Sequence, residues 1–158
     1  MTKTNAMRIL EEAGIPYTAE SYTVDEEDLS GVHAAQMLGI EDPGCVFKTL
    51  VTRGGKGNFF VFCIPVAETL DLKKCAAAAG EKSVEMIHVK EMAGITGYIR
   101  GGCSPIGMKK KFPTFLDETC ILYDKIFVSA GQRGLQLCMA PDDLARITGA
   151  SIADLIRH

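Results

Sequence analysis

The order of its elements predicts an α+β fold built on a mixed sheet or partly closed barrel. Apolar stretches of strand character come as hairpins joined by glycine-rich turns, and helical stretches fall between those hairpins instead of alternating with single strands. The 158 residues hold no linker, low-complexity stretch or internal repeat, so one domain is expected.

The first helix is expected from about Asn5 to Ala13, where Ala6, Ile9, Leu10 and Ala13 recur at helical spacing and Gly14 with Pro16 supplies a stop. Tyr17–Val24 reads as a strand, and the acidic run Asp25–Asp28 as a solvated turn. A second helix starts near the N-cap Ser30, carries Val32, Ala35 and Leu38 on one stripe and ends at Gly39, with His33 read as surface or core filler. The apolar runs Cys45–Thr52 and Asn58–Pro65, separated by RGGKG, form a hairpin signal. A third helix has Asp71 as N-cap, the alanine-rich body Cys75–Ala79 and Gly80 as C-cap. Ser83–Ile87 reads as a short strand, Val89–Ala93 as a short helix. Strands follow at Thr114–Leu116, Lys125–Ser129 and Leu135–Met139, the last two joined by the turn AGQRG. Pro141 opens a helix that has Asp142 and Asp143 in its first turn and Gly149 as stop. Ser151 and Asp154 then form an S-x-x-D cap for a final helical turn.

Composition narrows the classes of function. The N-terminal stretch carries Lys3, Arg8, Glu11 and Glu12 and lacks a continuous apolar core, so it reads as a helix and not a signal peptide. No apolar run approaches the roughly 20 residues that span a bilayer, so a soluble, cytoplasmic protein is expected, with no membrane partner. The six cysteines sit singly, mostly in apolar segments, which points to free thiols in a reducing compartment. With no CxxC pair and only three histidines, a zinc site is not expected. A net charge of −3 argues against strong non-specific nucleic-acid binding while leaving room for a local basic face.

The stretch Gly101–Asp117, GGCSPIGMKKKFPTFLD, combines three glycines, two prolines and three consecutive lysines. Such a loop either turns backbone N–H groups towards a ligand or is a glycine-rich crossover with solvated lysines. Lys48 lies within VFKTLV, where both alternating faces are otherwise mainly apolar. It is either an edge-strand lysine reaching water or a site cation that holds an anion or polarises a carbonyl. Ser129 ends a strand beside the AGQRG turn that contains Arg133, which suits contact with a ligand's polar group but equally an ordinary hairpin corner. Neither Ser104 nor Ser129 sits in a G-x-S-x-G elbow, and nothing near Cys103 identifies an activating histidine, so a serine or cysteine nucleophile is not expected.

Taken in order, FKTL at Lys48, LDLKK (Leu70–Lys74), KSVEM (Lys82–Met86), TGY and GGCSPIGMKK (Thr96–Lys110), FVSAGQRGL (Phe127–Leu135) and APDDLA resemble the YbaK/EbsC family of aminoacyl-tRNA deacylases. The resemblance runs through nearly the entire chain. It implies a relative of the editing domain of bacterial prolyl-tRNA synthetase, one domain over residues 1–158, with a mixed, mostly antiparallel sheet closing into a barrel flanked by helices. It also implies a trans-editing enzyme that removes cysteine from mischarged tRNA(Pro), possible partnership with prolyl-tRNA synthetase, and no cofactor. Residue by residue, it makes Lys48 the key site residue, with Gly101 and Gly102 as the catalytic loop and Tyr22, Thr49, Ser129, Arg133 and Asp142 (or Asp143) as substrate contacts. Two departures stand out: GGCSP replaces the more usual GGISP, and the segment after Tyr22 lacks a His-Asp pair. The implied chemistry needs no enzyme nucleophile, because the substrate's own thiol attacks its ester carbonyl while loop N–H groups stabilise the oxyanion. The alternatives are a deacylase for Ala- or Ser-tRNA and a non-catalytic module that binds a nucleotide or aminoacyl ester.

Overall fold

The computed structural model describes residues 3–158. Helix α1, Asn5–Glu12, starts at Thr4, whose hydroxyl accepts from Met7 N–H, and buries Ala6, Met7 and Leu10. Strand β1 is Thr18–Ser21, shorter at both ends than the apolar pattern suggests. Helix α2, Gly31–Met37, has Ser30 as its N-cap. The hairpin follows as β2, Phe47–Gly54, and β3, Phe59–Pro65. Helix α3, Leu72–Ala79, is capped by the Asp71 carboxylate at one end and by Gly80 at the other. After β4, Val84–Met86, a 3-10 turn at Val89–Glu91 runs into α4, Met92–Thr96. The remaining elements are β5, Thr114–Asp117; β6, Ile126–Ser129; β7, Leu135–Met139; α5, Pro141–Thr148; and β8, Ser151–Ala153.

The strands form two sheets, one ordered β1-β7-β6 and the other β4-β2-β3-β5-β8. Pairs β3–β5 and β5–β8 are parallel and the other four antiparallel, so the mixed α+β class holds. The expected barrel does not. Closure requires an unbroken ladder, and among the described residues the two sheets are joined only by an isolated bridge between Val46 and Phe127. The expected helical turn at Ser151–Asp154 is also corrected. Residues Ser151–Ala153 pair with Phe115–Asp117 as the edge strand β8, because the buried Asp117 carboxylate takes the Leu155 N–H at 2.9 Å and draws the segment alongside β5.

Alternation along β3 divides the interior. Val61 and Cys63 point into the main core with Phe47, Val51, Leu116, Leu137 and α1, whereas Phe60, Phe62 and Ile64 face α3 and the C-terminal segment. The Phe62 and Phe115 rings stack 5.1 Å apart in the second core. Both faces of the five-stranded sheet are thereby covered, which leaves function to the place where the sheets part.

Candidate active site

A cavity of about 290 Å³ opens where β2 leaves β6 and has not yet met β4. Val66 N–H donates to Val46 C=O and Gly54 N–H to Asn58 C=O, so the hydrogen-bonded pairs of the hairpin fall on the even-numbered residues of β2. The backbone groups of Phe47, Thr49 and Val51 therefore point away from β3. Val51 C=O accepts Ile87 N–H at 3.3 Å, and Arg53 pairs with Glu85 of β4. The edge at Phe47 and Thr49 borders the cavity.

Lys48 lines this cavity, half-buried. Burial pushes its ammonium below the ordinary lysine range, and the Glu68 carboxylate partly opposes that shift. Lys48 and Arg100 are the charged residues among those lining the cavity, and both are cations. Thr49 is buried, with Oγ1 3.7 Å from Cys63 Sγ. Tyr22 also lines the wall, held by its N–H to Gly134 C=O at 2.9 Å. Ser129 closes the far side, its Oγ accepting Gly131 N–H at 3.2 Å.

The glycine loop forms another wall. Gly101, at φ +84°, lines the cavity, and its N–H meets no backbone acceptor among the described residues. Gly102 N–H, by contrast, donates to Ile99 C=O at 3.0 Å. Its glycine identity has a packing cause: a Cβ there would lie 3.1 Å from Arg133 N, Gln132 C and Gln132 Cα. The loop is tied from behind by Arg133 Nε–H to Arg100 C=O at 2.8 Å and by the Tyr98 hydroxyl to Ile106 C=O at 2.6 Å. Arg133 thus braces the loop and does not line the cavity, and Asp142, exposed on α5, does not line it either. Asp143 pairs with Arg146 at 2.6 Å. Lys110 and Lys111 border a separate recess of about 200 Å³.

Cys103 reaches the cavity, but burial pushes its thiol up to about 12, so it stays protonated and a poor nucleophile at neutral pH. No histidine or carboxylate lines the cavity among the described residues. The chemistry on offer is a cation, a backbone donor and hydroxyls, suited to orienting an ester and stabilising developing negative charge.

A model of the aminoacyl-tRNA editing domain matches residues 26–147. The chain belongs to the aminoacyl-tRNA editing domain family. A relative in Enterococcus faecalis (strain ATCC 700802 / V583), named "Putative Cys-tRNA(Pro)/Cys-tRNA(Cys) deacylase EbsC", is 50% identical over 97% of this chain and 93% of its own. A solved structure described as "a putative trans-editing enzyme for prolyl tRNA synthetase" is 26% identical, with a TM-score of 0.80 over 99% of this chain and 100% of that one. The hypothetical protein APE2540 shares the fold, with a TM-score of 0.85 at 22% identity over 95% of this chain and 97% of that one. In this editing domain the open edge of β2, Gly101 and Ser129 face one cavity, although they come from three separated segments.

Sequence reasoning missed Gln136, Met86, Val89 and Met92, all of which line the cavity of the editing domain. Gln136 sits in LQLCM, where strict alternation reads a polar residue as solvent-facing. Met86 and Val89 are 42% and 56% exposed, an apolar rim that periodicity assigns to neither core nor surface.

Proposed function

We propose that this editing domain, one unit over residues 1–158, acts in the cytoplasm as a trans-editing deacylase for Cys-tRNA(Pro), beside prolyl-tRNA synthetase. The observation that carries the reading is the chemistry of the cavity wall. It combines a desolvated lysine with a backbone N–H that meets no backbone acceptor, and among the described residues it holds no histidine, carboxylate or activated thiol. A pocket of that kind suits a substrate that brings its own nucleophile, and a cysteinyl ester does. The relative named as a Cys-tRNA deacylase supports the same choice.

In this reaction the substrate's thiolate attacks its own ester carbonyl, forming the C–S bond of a cyclic thioester. The C–O bond to the ribose breaks, the ribose oxygen takes up a proton, and water later opens the ring. Lys48 anchors the aminoacylated ribose or the terminal phosphate, and Gly101 N–H meets the oxyanion; one such donor is typically worth about 3 kcal/mol. Gly102, its N–H taken by Ile99, sets the shape of the turn. Tyr22, Thr49 and Ser129 shape the acyl site, Arg133 braces it, and the rim at Met86 and Val89 receives the terminal base.

Comparing Cys-, Ala- and Ser-tRNA(Pro) as substrates tests the reading. Release of cysteine at least about a hundredfold faster than alanine or serine is expected, a difference of roughly 2.7 kcal/mol in barrier. Equal rates would overturn thiol assistance, and binding without release would mark a non-catalytic module.

A further inference from the structure

We propose that Gln136 accepts a hydrogen bond from the α-amino group of the esterified amino acid and thereby selects which acyl groups are turned over; this rests on the deacylase reading. Gln136 is only 7% exposed, yet it lines the cavity, and its Oε1 is shut from solvent with no hydrogen-bond partner among the described residues. A buried acceptor left unpaired destabilises the free protein, and beside a cavity a ligand's N–H can supply the missing partner.

The placement of Gln136 supports this. Val128 and Leu137 point into the main core, so alternation sends Ser129 and Gln136 to the opposite face, where they stand directly across from each other. Ser129 Oγ accepts Gly131 N–H, which leaves its hydrogen free to donate to the ligand. Two other hydroxyls at the cavity are engaged. Thr49 Oγ1 is at Cys63 Sγ, and Ser30 Oγ takes His33 N–H and lies 2.7 Å from Asp28 Oδ1. Rotation about the last bond of Gln136 exchanges its amide oxygen and nitrogen, so a ligand's donor can select the orientation in which the oxygen faces it.

The α-amino group is the donor that fits. Lys48 and Arg100 are the charged side chains that line the cavity among the described residues, while the carboxylates close to it, Glu68 acting on Lys48 and Asp28 behind Ser30, stand outside its lining. A neutral amide oxygen accepts from an amine in either protonation state, and the neighbouring Lys48 and Arg100 cations favour the neutral form of an amine whose ordinary pKa is near 8.

The test uses tRNA(Pro) charged either with cysteine or with 3-mercaptopropionate, which keeps the thiol and lacks the amine. Wild type should prefer the cysteinyl ester about tenfold or more in kcat/KM. Gln136→Leu should slow only that ester, erasing the preference, with a melting temperature no lower than wild type because an orphan acceptor is gone. Gln136→Glu, which keeps an acceptor, should retain the preference. If leucine lowers the yield of folded protein, Gln136→Met gives the same comparison. An unaltered preference in Gln136→Leu, or a wild type indifferent to the amine, overturns the assignment alone. A lower melting temperature with both esters slowed equally marks Gln136 as structural and also overturns it. A wild type inactive on both esters overturns the deacylase reading and the assignment with it.

Discussion

Replacing Gly102 with alanine tests how tightly the glycine loop is registered against the turn after β6. The added methyl would stand 3.1 Å from three backbone atoms of Gln132 and Arg133, where ordinary contacts begin at 3.4 Å. None of these atoms belongs to a side chain that could swing aside, so the two segments must part by a few tenths of an ångström. Overpacking of this kind costs about 1–3 kcal/mol. At roughly 2–4 °C per kcal/mol for a chain of this size, the melting temperature should fall by about 2–12 °C. Because Gly101 is the preceding residue, the same displacement moves its N–H relative to the ester. Deacylation should fall at least about tenfold, since positioning errors well under 1 Å weaken a transition-state contact. Calorimetry and single-turnover deacylation of Cys-tRNA(Pro) read both effects. A Gly102→Ala protein with wild-type melting and wild-type turnover would refute the argument that the turn holds the loop.

Lys48→Met should reduce deacylation at least about a hundredfold without lowering the melting temperature, because it removes a half-buried cation and keeps an apolar stem; retained turnover would exclude Lys48 from the mechanism. Burial lowers the Lys48 pKa, so the ammonium is lost at a lower pH than in free lysine, and kcat/KM should fall on the alkaline side below the usual value of about 10.4. Glu68 raises that pKa, so Glu68→Gln should move the alkaline limb to still lower pH, and a limb that stays put would mean that another group titrates. Cys103→Ala should turn over within about threefold of wild type, since a thiol held near 12 is protonated throughout the working range; a large loss with an unchanged circular dichroism spectrum would make Cys103 a nucleophile.

Much of the fold was legible because local signals agreed with tertiary demands. Ser30, Asp71, Gly80, Pro141 and Gly149 sit at the helix ends that their chemistry predicts. What failed depended on long-range pairing. Ser151 reads locally as a helix cap, yet the Asp117 carboxylate, far away in sequence, recruits its neighbour Leu155 and makes the segment a strand. The barrel failed for the same reason, since whether two strands go on pairing beyond one bridge is not written in the periodicity of either. In the site, Lys48 stood out as a cation in an apolar strand, and Gly101 as a glycine in a dense turn. Arg133 and Gly102 could be placed near the site, but their bracing role depends on which carbonyl and which backbone they meet. Gln136 was hidden because alternation gives a side chain's face but not what lies on that face.

The break in pairing after Val46 and Phe127 bears on how such a protein can change its substrate. Two more residues of parallel pairing would set Lys48 opposite Ser129 and fill the opening with main chain. The vacancy is therefore a property of chain path and does not depend on any one side chain. Lining residues can be exchanged to suit a different acyl group while the opening persists, in keeping with a shared architecture at a TM-score of 0.80 despite 26% identity.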